Sequence, residues 1–215
     1  MNQDLVILLA AGMLVTAYLM VGQRALFTAI RLYGLQSMML GGVAVVMALS
    51  DHRPHLLASA ALTIGLKGVL IPWFLMRVID RIGIHREIEA ILNVPSSLLI
   101  CLGLTVVGYR VSTGLAEGAG GAAHHVIGVS LSMLLMGLFL MVTRRKAVTQ
   151  ILALLTVENA VFLVALGATT GMPLIVELGI SFDVIVAVLV LGVLVHRIVD
   201  RFESMDVSRL SKLKG

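Results

Sequence analysis

Charged side chains, cysteine and proline are all scarce in this 215-residue sequence. The 16 basic and 12 acidic residues make up 13% of the chain, whereas roughly a quarter of the residues are charged in soluble globular domains. The hydrophobic content is 59% and the mean hydropathy is +1.05. A single cysteine, Cys101, excludes a disulfide framework and a cysteine metal cluster. These shortages exclude a soluble domain and predict an all-α integral membrane protein, because a membrane-spanning helix satisfies its own backbone hydrogen bonds.

The motifs of common catalytic sites are also missing. The sequence contains no G-x-x-x-x-G-K-[ST], G-x-S-x-G, H-E-x-x-H or C-x-x-C, and no polar segment long enough for a nucleotide-binding domain. Two histidine pairs, at positions 52 and 55 and at 124 and 125, lack an accompanying carboxylate-rich ligand set, so no metal site is predicted. We therefore expect no free-standing enzyme and no cofactor bound by this chain. The net charge of +4 is better explained by loops facing an anionic leaflet than by nucleic-acid binding.

Seven apolar runs have the length needed to cross a hydrocarbon layer, about 20 residues each. They lie at about 5–22, 30–50, 56–79, 94–112, 124–143, 147–170 and 174–196. No Lys or Arg precedes the first run, so we expect it to remain as a helix rather than to be cleaved as a signal peptide. The fourth run contains Pro95, Gly103 and Gly108, which leaves a six-span alternative open.

The distribution of basic residues supports seven spans and orients them. Thirteen of the 16 Lys and Arg residues fall on one side of the predicted membrane, Arg53 and Arg110 fall on the other, and Lys67 lies within a run. The thirteen are Arg24, Arg31, Arg77, Arg81, Arg86, Arg144, Arg145, Lys146, Arg197, Arg201, Arg209, Lys212 and Lys214. Because basic loops stay in the cytoplasm, we predict a multi-pass protein of the cell (inner) membrane with its N-terminus outside and its C-terminus inside. The cluster at 144–146 is interpreted as a topology determinant.

A weak internal repeat relates the two ends of the chain. Residues 35–42 in the second run align with 157–164 in the sixth, and residues 77–81 after the third run align with 197–201 after the seventh. Duplicated helix bundles are common in membrane proteins. The repeat predicts two parallel three-helix bundles. Their boundaries are a first bundle at 1–93, a linker helix with a Gly/Ala-rich outer loop at 94–123, and a second bundle with a basic tail at 124–215.

Three ionisable residues lie near the predicted middle of the membrane: Lys67, Glu158 and Asp183. A charge at that depth costs about 2.5–3.5 kcal/mol, so each needs a partner or a hydrated cavity. Burial also moves carboxyl and lysine groups towards neutrality, which suits a proton relay. The sequence therefore favours a proton path through these three residues, with a purely structural pairing of Lys67 with one of the acids as the alternative.

Four polar or helix-breaking residues are expected to support this path. Pro72 offers no N–H to the carbonyl of Gly68 and should open the helix beside Lys67, unless it marks only a packing kink. Thr63 lies one turn before Lys67. Gln36 and Asn159 are typical of residues that hydrogen-bond between membrane helices.

The residues of the last three runs resemble a known family. The pattern consists of Leu155-Thr156-Val157-Glu158-Asn159-Ala160, then Phe182-Asp183, then His196-Arg197-Ile198. It resembles the membrane subunit called hydrogenase-4 component E over most of the chain. That family is similar in turn to the three-helix K subunit of respiratory complex I, over about 75 residues, and to the C subunit of multi-subunit cation/proton antiporters.

The resemblance implies a membrane-arm subunit of a group 4 nickel–iron hydrogenase. Antiporter-like and quinone-pocket-type membrane subunits would be partners, and soluble partners would hold the nickel–iron and iron–sulfur centres. The second-helix glutamate of the family falls on Glu158 and the third-helix acid on Asp183, although K subunits carry a glutamate there at a wider separation. Gln36 replaces the glutamate in the first bundle, so either Lys67 is the charged element of that bundle or the bundle is structural.

Two other functions stay open. A self-sufficient secondary transporter would share the arrangement of three, one and three helices, but none of the four prolines is followed by Gln, as it is in seven-helix sugar carriers. A purely structural membrane subunit would tolerate neutral substitutions at all three ionisable sites.

Overall fold

A computed structural model describes residues 2–50, 54–82, 91–115 and 121–168. The helices in these ranges are α1 (Asn2–Gly22), α2 (Leu26–Ser50), α3 (Pro54–Leu62), a π-helical segment (Thr63–Leu70), α4 (Ile71–Ile82), α5 (Val94–Leu115), α6 (Gly121–Thr143) and α7 (Ala147–Ala168). The π-helical segment joins α3 to α4, so the three form one continuous rod. The predicted seventh run at 174–196, which contains Asp183, lies outside the described residues.

Six helices of the described ranges are long and apolar enough to cross a membrane. Their central spans are Gln3–Gly22, Leu26–Ser50, Leu56–Arg77, Val94–Leu115, Ala123–Thr143 and Val148–Gly167. They coincide with the first six predicted runs, including the fourth. Pro95 does not break α5 because it is the second residue of that helix, where a missing N–H removes no intrahelical hydrogen bond.

Small residues allow consecutive helices to approach closely. Gly41 of α2 lies against Ile64, Gly108 of α5 lies against the backbone of Ser132, and Gly137 of α6 lies against Val157. In a bilayer, association depends on such packing because the lipid is as apolar as the side chains. The closest contacts therefore join α2 to the rod, α5 to α6, and α6 to α7.

Buried apolar residues of α1, α2, α6 and α7 form most of the core of the described residues, and the rod adds Leu56, Ala60, Ile71, Leu75 and Ile79. The helix α1 packs on both α2 and α6, and α2 packs on α7. By contrast, only 17% of the α5 span is buried, compared with 61% for the spans of α6 and α7. Most of the α5 surface is therefore available to lipid or to another protein.

The rod departs from the sequence prediction at its centre. Pro72 was expected to open an α-helix at Gly68, but the helix is already widened over Thr63–Leu70, and the N–H of Ile71 donates to the carbonyl of Leu66 five residues earlier. Pro72 follows this widened turn at the start of α4. The sequence therefore located the irregularity correctly but gave it the wrong form, since π-helical segments have no simple sequence signature and are often found at functional sites.

Candidate functional site in the membrane interior

An ion pair lies in the middle of the helix bundle. Lys67 Nζ of the π-helical segment is 3.4 Å from Glu158 Oε2 of α7. The two side chains are only 1% and 2% exposed. Two residues that are 91 positions apart in the sequence thus meet in a dry interior, where their attraction is little screened by water.

The depth of both residues follows from the lengths of their helices. Lys67 is the twelfth of 22 residues in the span Leu56–Arg77, and Glu158 is the twelfth of 22 in α7. The two side chains therefore meet at a common depth near the midpoint of the apolar layer. The sequence predicted this depth for each residue, but it did not decide between Glu158 and Asp183 as the acid that Lys67 contacts.

Next to the ion pair, a chain of polar side chains crosses from α7 to α1. Asn159 Nδ2 donates to Gln36 Oε1 at 3.2 Å and to Ser37 Oγ at 3.0 Å. Gln36 Nε2 donates to the carbonyl of Met13 at 3.3 Å and lies 3.4 Å from Thr16 Oγ1. Together with the ion pair, these contacts form what we call the polar layer: Thr16, Gln36, Ser37, Lys67, Glu158 and Asn159.

The polar layer is buried. Thr16, Gln36, Ser37 and Asn159 all have buried side chains, and Thr16 Oγ1 also donates to the carbonyl of Met13. Asn159 Oδ1 accepts no hydrogen bond from the part of the chain that the structure describes. A buried acceptor without a donor is costly, so this oxygen is a point where a water molecule or a protonated group would be stabilised.

The remaining sequence-predicted residues lie near the polar layer but have different surroundings. Thr63 is buried on the π-helical segment, four residues before Lys67. Gly34 of α2 lies against Pro72 and against the carbonyl oxygen of Gly68. A Cβ added at position 34 would lie 3.2 Å from that oxygen. The carbonyl that Pro72 leaves without its α-helical donor is therefore covered by α2. Asp183 lies outside the described residues.

Two members of the polar layer, Thr16 and Ser37, were not identified from the sequence. Threonine and serine are common in membrane helices, where they often donate to a backbone carbonyl of their own helix, as Thr16 does here. One signal was available for Ser37: the repeat alignment matches Gln36 with Glu158 and Ser37 with Asn159. Because Asn159 was recognised as a hydrogen-bonding residue, the matched position of Ser37 could have been recognised as well.

A second buried charge lies at the end of α6, outside the apolar spans. Arg144 Nη2 donates to the carbonyl of Val21 at the C-terminal end of α1 at 2.7 Å. Burial lowers the pKa of the Arg144 guanidinium from its ordinary value. The helix α1 has no basic residue in its last turn, so Arg144 supplies the positive charge that a helix C-terminus favours. The predicted topology determinant thus also joins α1 to α6, whose C-terminal ends lie on the same side.

Comparison with known proteins adds two relatives of nearly full length. The uncharacterized protein Rv0085 of Mycobacterium tuberculosis is 32% identical over 206 residues, which cover 95% of this chain and 94% of that protein. Hydrogenase-4 component E of Escherichia coli K12 is 26% identical over 212 residues, and the match covers 96% of both chains. Hydrogenase-4 component E of Shigella flexneri matches to the same extent.

No protein-family model matches the sequence. No solved structure matches it either. The near-complete coverage of the relatives means that the similarity extends over the whole membrane domain and not over a single apolar helix. The chain therefore belongs to the same family as the mycobacterial protein Rv0085 and is a distant homologue of hydrogenase-4 component E.

Proposed function

We propose that this chain is a non-catalytic membrane-arm subunit of a complex I-like nickel–iron hydrogenase. In that role it supports the translocation of protons, or of another cation, driven by redox chemistry in partner subunits. The distant homology to hydrogenase-4 component E supports the membership in such a complex. The observation that carries the translocation role is the Lys67–Glu158 pair at mid-depth of the bilayer.

An ion pair is a poor choice if its only task is to hold two helices together. Placing each charge at the bilayer centre costs about 2.5–3.5 kcal/mol, and a buried pair often does no better than apolar side chains of similar volume. Buried apolar side chains of α4 and α7 already belong to one core cluster, which includes Ile71, Leu75, Leu152 and Leu155. A pair of ionisable groups at this position is therefore better explained by proton transfer through Glu158.

The polar layer suggests how a proton would reach and leave Glu158. Asn159 Oδ1 lies one residue away with a vacant acceptor position among the described residues, so it would hold a water or a protonated carrier beside the carboxylate. Gln36 and Thr16 extend the layer to α1 but cannot titrate, so they would orient the layer rather than carry charge. Asp183 in the predicted seventh span is the proposed next acid.

The proposed architecture has seven spans in two parallel bundles, the second similar to a complex I K subunit. The repeat alignment matches Ser37 with Asn159, and these two residues hydrogen-bond across the interface of α2 and α7. Equivalent residues of two parallel helices meet when a two-fold axis runs between them along the membrane normal, which is the expected relation of parallel repeats. The first bundle would then supply Lys67 and the second Glu158.

The proposed setting is the cell membrane, with the basic ends of the helices in the cytoplasm. The partners are antiporter-like and quinone-pocket-type membrane subunits, together with soluble subunits that hold the nickel–iron and iron–sulfur centres. In this proposal the chain itself binds no redox cofactor.

The proposal is tested by replacing Glu158 with Gln in the assembled complex. Glu158→Gln keeps the shape and hydrogen-bonding capacity of the side chain but cannot release a proton, so we expect proton movement per hydrogen turnover to fall at least severalfold. Thr156→Ala is the matched control, because it removes a buried hydroxyl from the same helix, outside the polar layer, without removing a titrating group. Three quantities would be measured: the hydrogenase activity of the purified complex, its subunit composition, and proton uptake by vesicles that contain it.

The outcomes separate the three candidate functions. If Glu158→Gln and Lys67→Ala both keep full coupling in an intact complex, the relay is wrong. A structural subunit predicts that neutral substitutions at Lys67, Glu158 and Asp183 are tolerated and leave coupling unchanged. Solute transport by the purified chain alone in liposomes would instead favour an independent carrier.

A further inference from the structure

A groove opens between α5 and α6 at the end of the bundle opposite to Arg144, and its mostly apolar lining includes an arginine, a histidine and three hydroxyl groups. Its volume is about 440 Å³, and it is lined by Thr105, Val106, Tyr109, Arg110, Thr113 and His124. Because α5 and α6 are antiparallel neighbours, the last turns of α5 lie beside the first turn of α6. The groove belongs to neither the polar layer nor the Arg144 contact.

The functional groups of this groove suit an anion. The side chain of Arg110 is exposed, and within the described ranges it has no acidic partner. The hydroxyl of Thr113 donates its proton to the backbone carbonyl of Arg110 at 2.6 Å and is therefore not a donor for an anion. Together with the hydroxyl of Tyr109 and the imidazole of His124, the guanidinium forms a set of donors around one space. Guanidinium groups bind phosphate oxygens through paired, charge-assisted hydrogen bonds.

An apolar face of α5 leads from the groove towards the middle of the membrane. Leu99, Leu102 and Val106 are 70%, 56% and 54% exposed. Their spacing places them on the same face of the helix as Arg110, which follows four residues after Val106. The surface is therefore amphipathic along the membrane normal, with a cation and hydroxyls at its end and a continuous apolar strip beneath.

From this geometry we propose that the groove binds the phosphate of an anionic phospholipid, with one acyl chain along Leu99, Leu102 and Val106. A free inorganic phosphate would use the polar end but leave the apolar strip unused. An arginine near the end of a membrane-spanning helix commonly extends towards the lipid phosphates, which supply a counter-charge. The proposal does not depend on proton translocation.

The test uses the purified full chain in mild detergent. Native mass spectrometry would measure binding of added phosphatidylglycerol, which is anionic, and of phosphatidylcholine, which is zwitterionic. Arg110→Gln should weaken phosphatidylglycerol binding about fivefold, since a basic residue at the membrane surface contributes an attraction of that order. Arg110→Lys should lose less. Arg31→Gln removes an exposed arginine from α2, outside the groove, and should leave binding unchanged.

Each alternative has its own result. Equal losses in Arg110→Gln and Arg31→Gln, in variants that elute as folded chains, would overturn the site. Equal binding of the two lipids by the native chain would overturn the preference for an anionic lipid. Displacement of the lipid by millimolar inorganic phosphate would indicate a free-anion site. Unchanged lipid binding with loss of partner subunits from the Arg110→Gln complex would show that the groove docks a protein instead.

Discussion

At the scale of single residues, Lys67 and Glu158 depend on each other because each charge has little access to water. Removing one partner leaves the other charge buried, unless it becomes neutral by gaining or losing a proton. Replacing both by apolar groups removes the problem altogether. The pair should therefore behave as a unit, and single and double substitutions should not be additive.

This coupling can be measured as a double-mutant cycle. We expect Lys67→Met and Glu158→Met each to lower the free energy of unfolding by up to about 3–5 kcal/mol, and the double variant to lose clearly less than the sum. Unfolding of the purified chain in mixed detergent micelles would give the values. Additive losses would show that the two groups do not interact in the folded protein.

Arg144 is the second residue whose charge is buried, and its neighbour provides the control. Its guanidinium binds the Val21 carbonyl, and a hydrogen bond from a charged group contributes about 1.5–3 kcal/mol. We expect Arg144→Gln to lower the free energy of unfolding by an amount in this range. Arg145 is exposed, and Arg145→Gln should change it by less than about 0.5 kcal/mol. Equal effects would mean that both act only through net charge.

At the scale of helices, opposite effects are expected for alanine substitutions at two of the glycines of α5, Gly103 and Gly108. A Cβ on Gly108 would lie 2.5 Å from Ser132 Oγ and 2.7 Å from its backbone nitrogen, whereas a Cβ on Gly103 would meet nothing within 4 Å. Gly108→Ala must push α5 away from α6 and should lower the free energy of unfolding by about 1–3 kcal/mol. Gly103→Ala should be neutral or slightly stabilising. The same micelle unfolding assay would compare them, and equal losses would contradict the close packing of α5 on α6.

The helices themselves were largely predictable, for a physical reason. The bilayer fixes the length of each apolar run, so the first six predicted runs match the observed spans to within a few residues. The widened helix at Thr63–Leu70 was not predictable, because its form depends on how α2 packs on the rod. Gly34 and Gly41 of α2 both lie against this part of the rod. Sequence patterns predict how far along a helix a residue lies, but they do not predict which turn of the helix contacts a neighbouring helix.

The candidate site was also predictable only in part: the position of each residue along its helix was predicted, but the contacts between helices were not. The depth of Lys67 and Glu158 came from counting residues between polar ends, and counting is reliable in a membrane. Their contact depends on the rotation of α7 against the rod, which the 90 residues between them do not encode locally. Thr16 was missed because many membrane threonines donate to a carbonyl of their own helix, as Thr16 does. The sequence does not show which of them also contact a polar side chain of another helix, as Thr16 contacts Gln36.

At the scale of the whole molecule, the proposed orientation can be tested because the single native cysteine is buried. Cys101 is 0% exposed and should react slowly with a polar maleimide, so a new cysteine would report its own side of the membrane. Arg145 lies exposed between α6 and α7, on the predicted cytoplasmic side, and Leu115 is exposed at the far end of α5. With an impermeant maleimide on intact cells, we expect Leu115→Cys to be labelled and Arg145→Cys to be protected until the cells are opened. The reverse pattern would place the basic ends outside and overturn the charge-based orientation. Labelling of both in intact cells would mean that α6 does not cross the membrane as proposed.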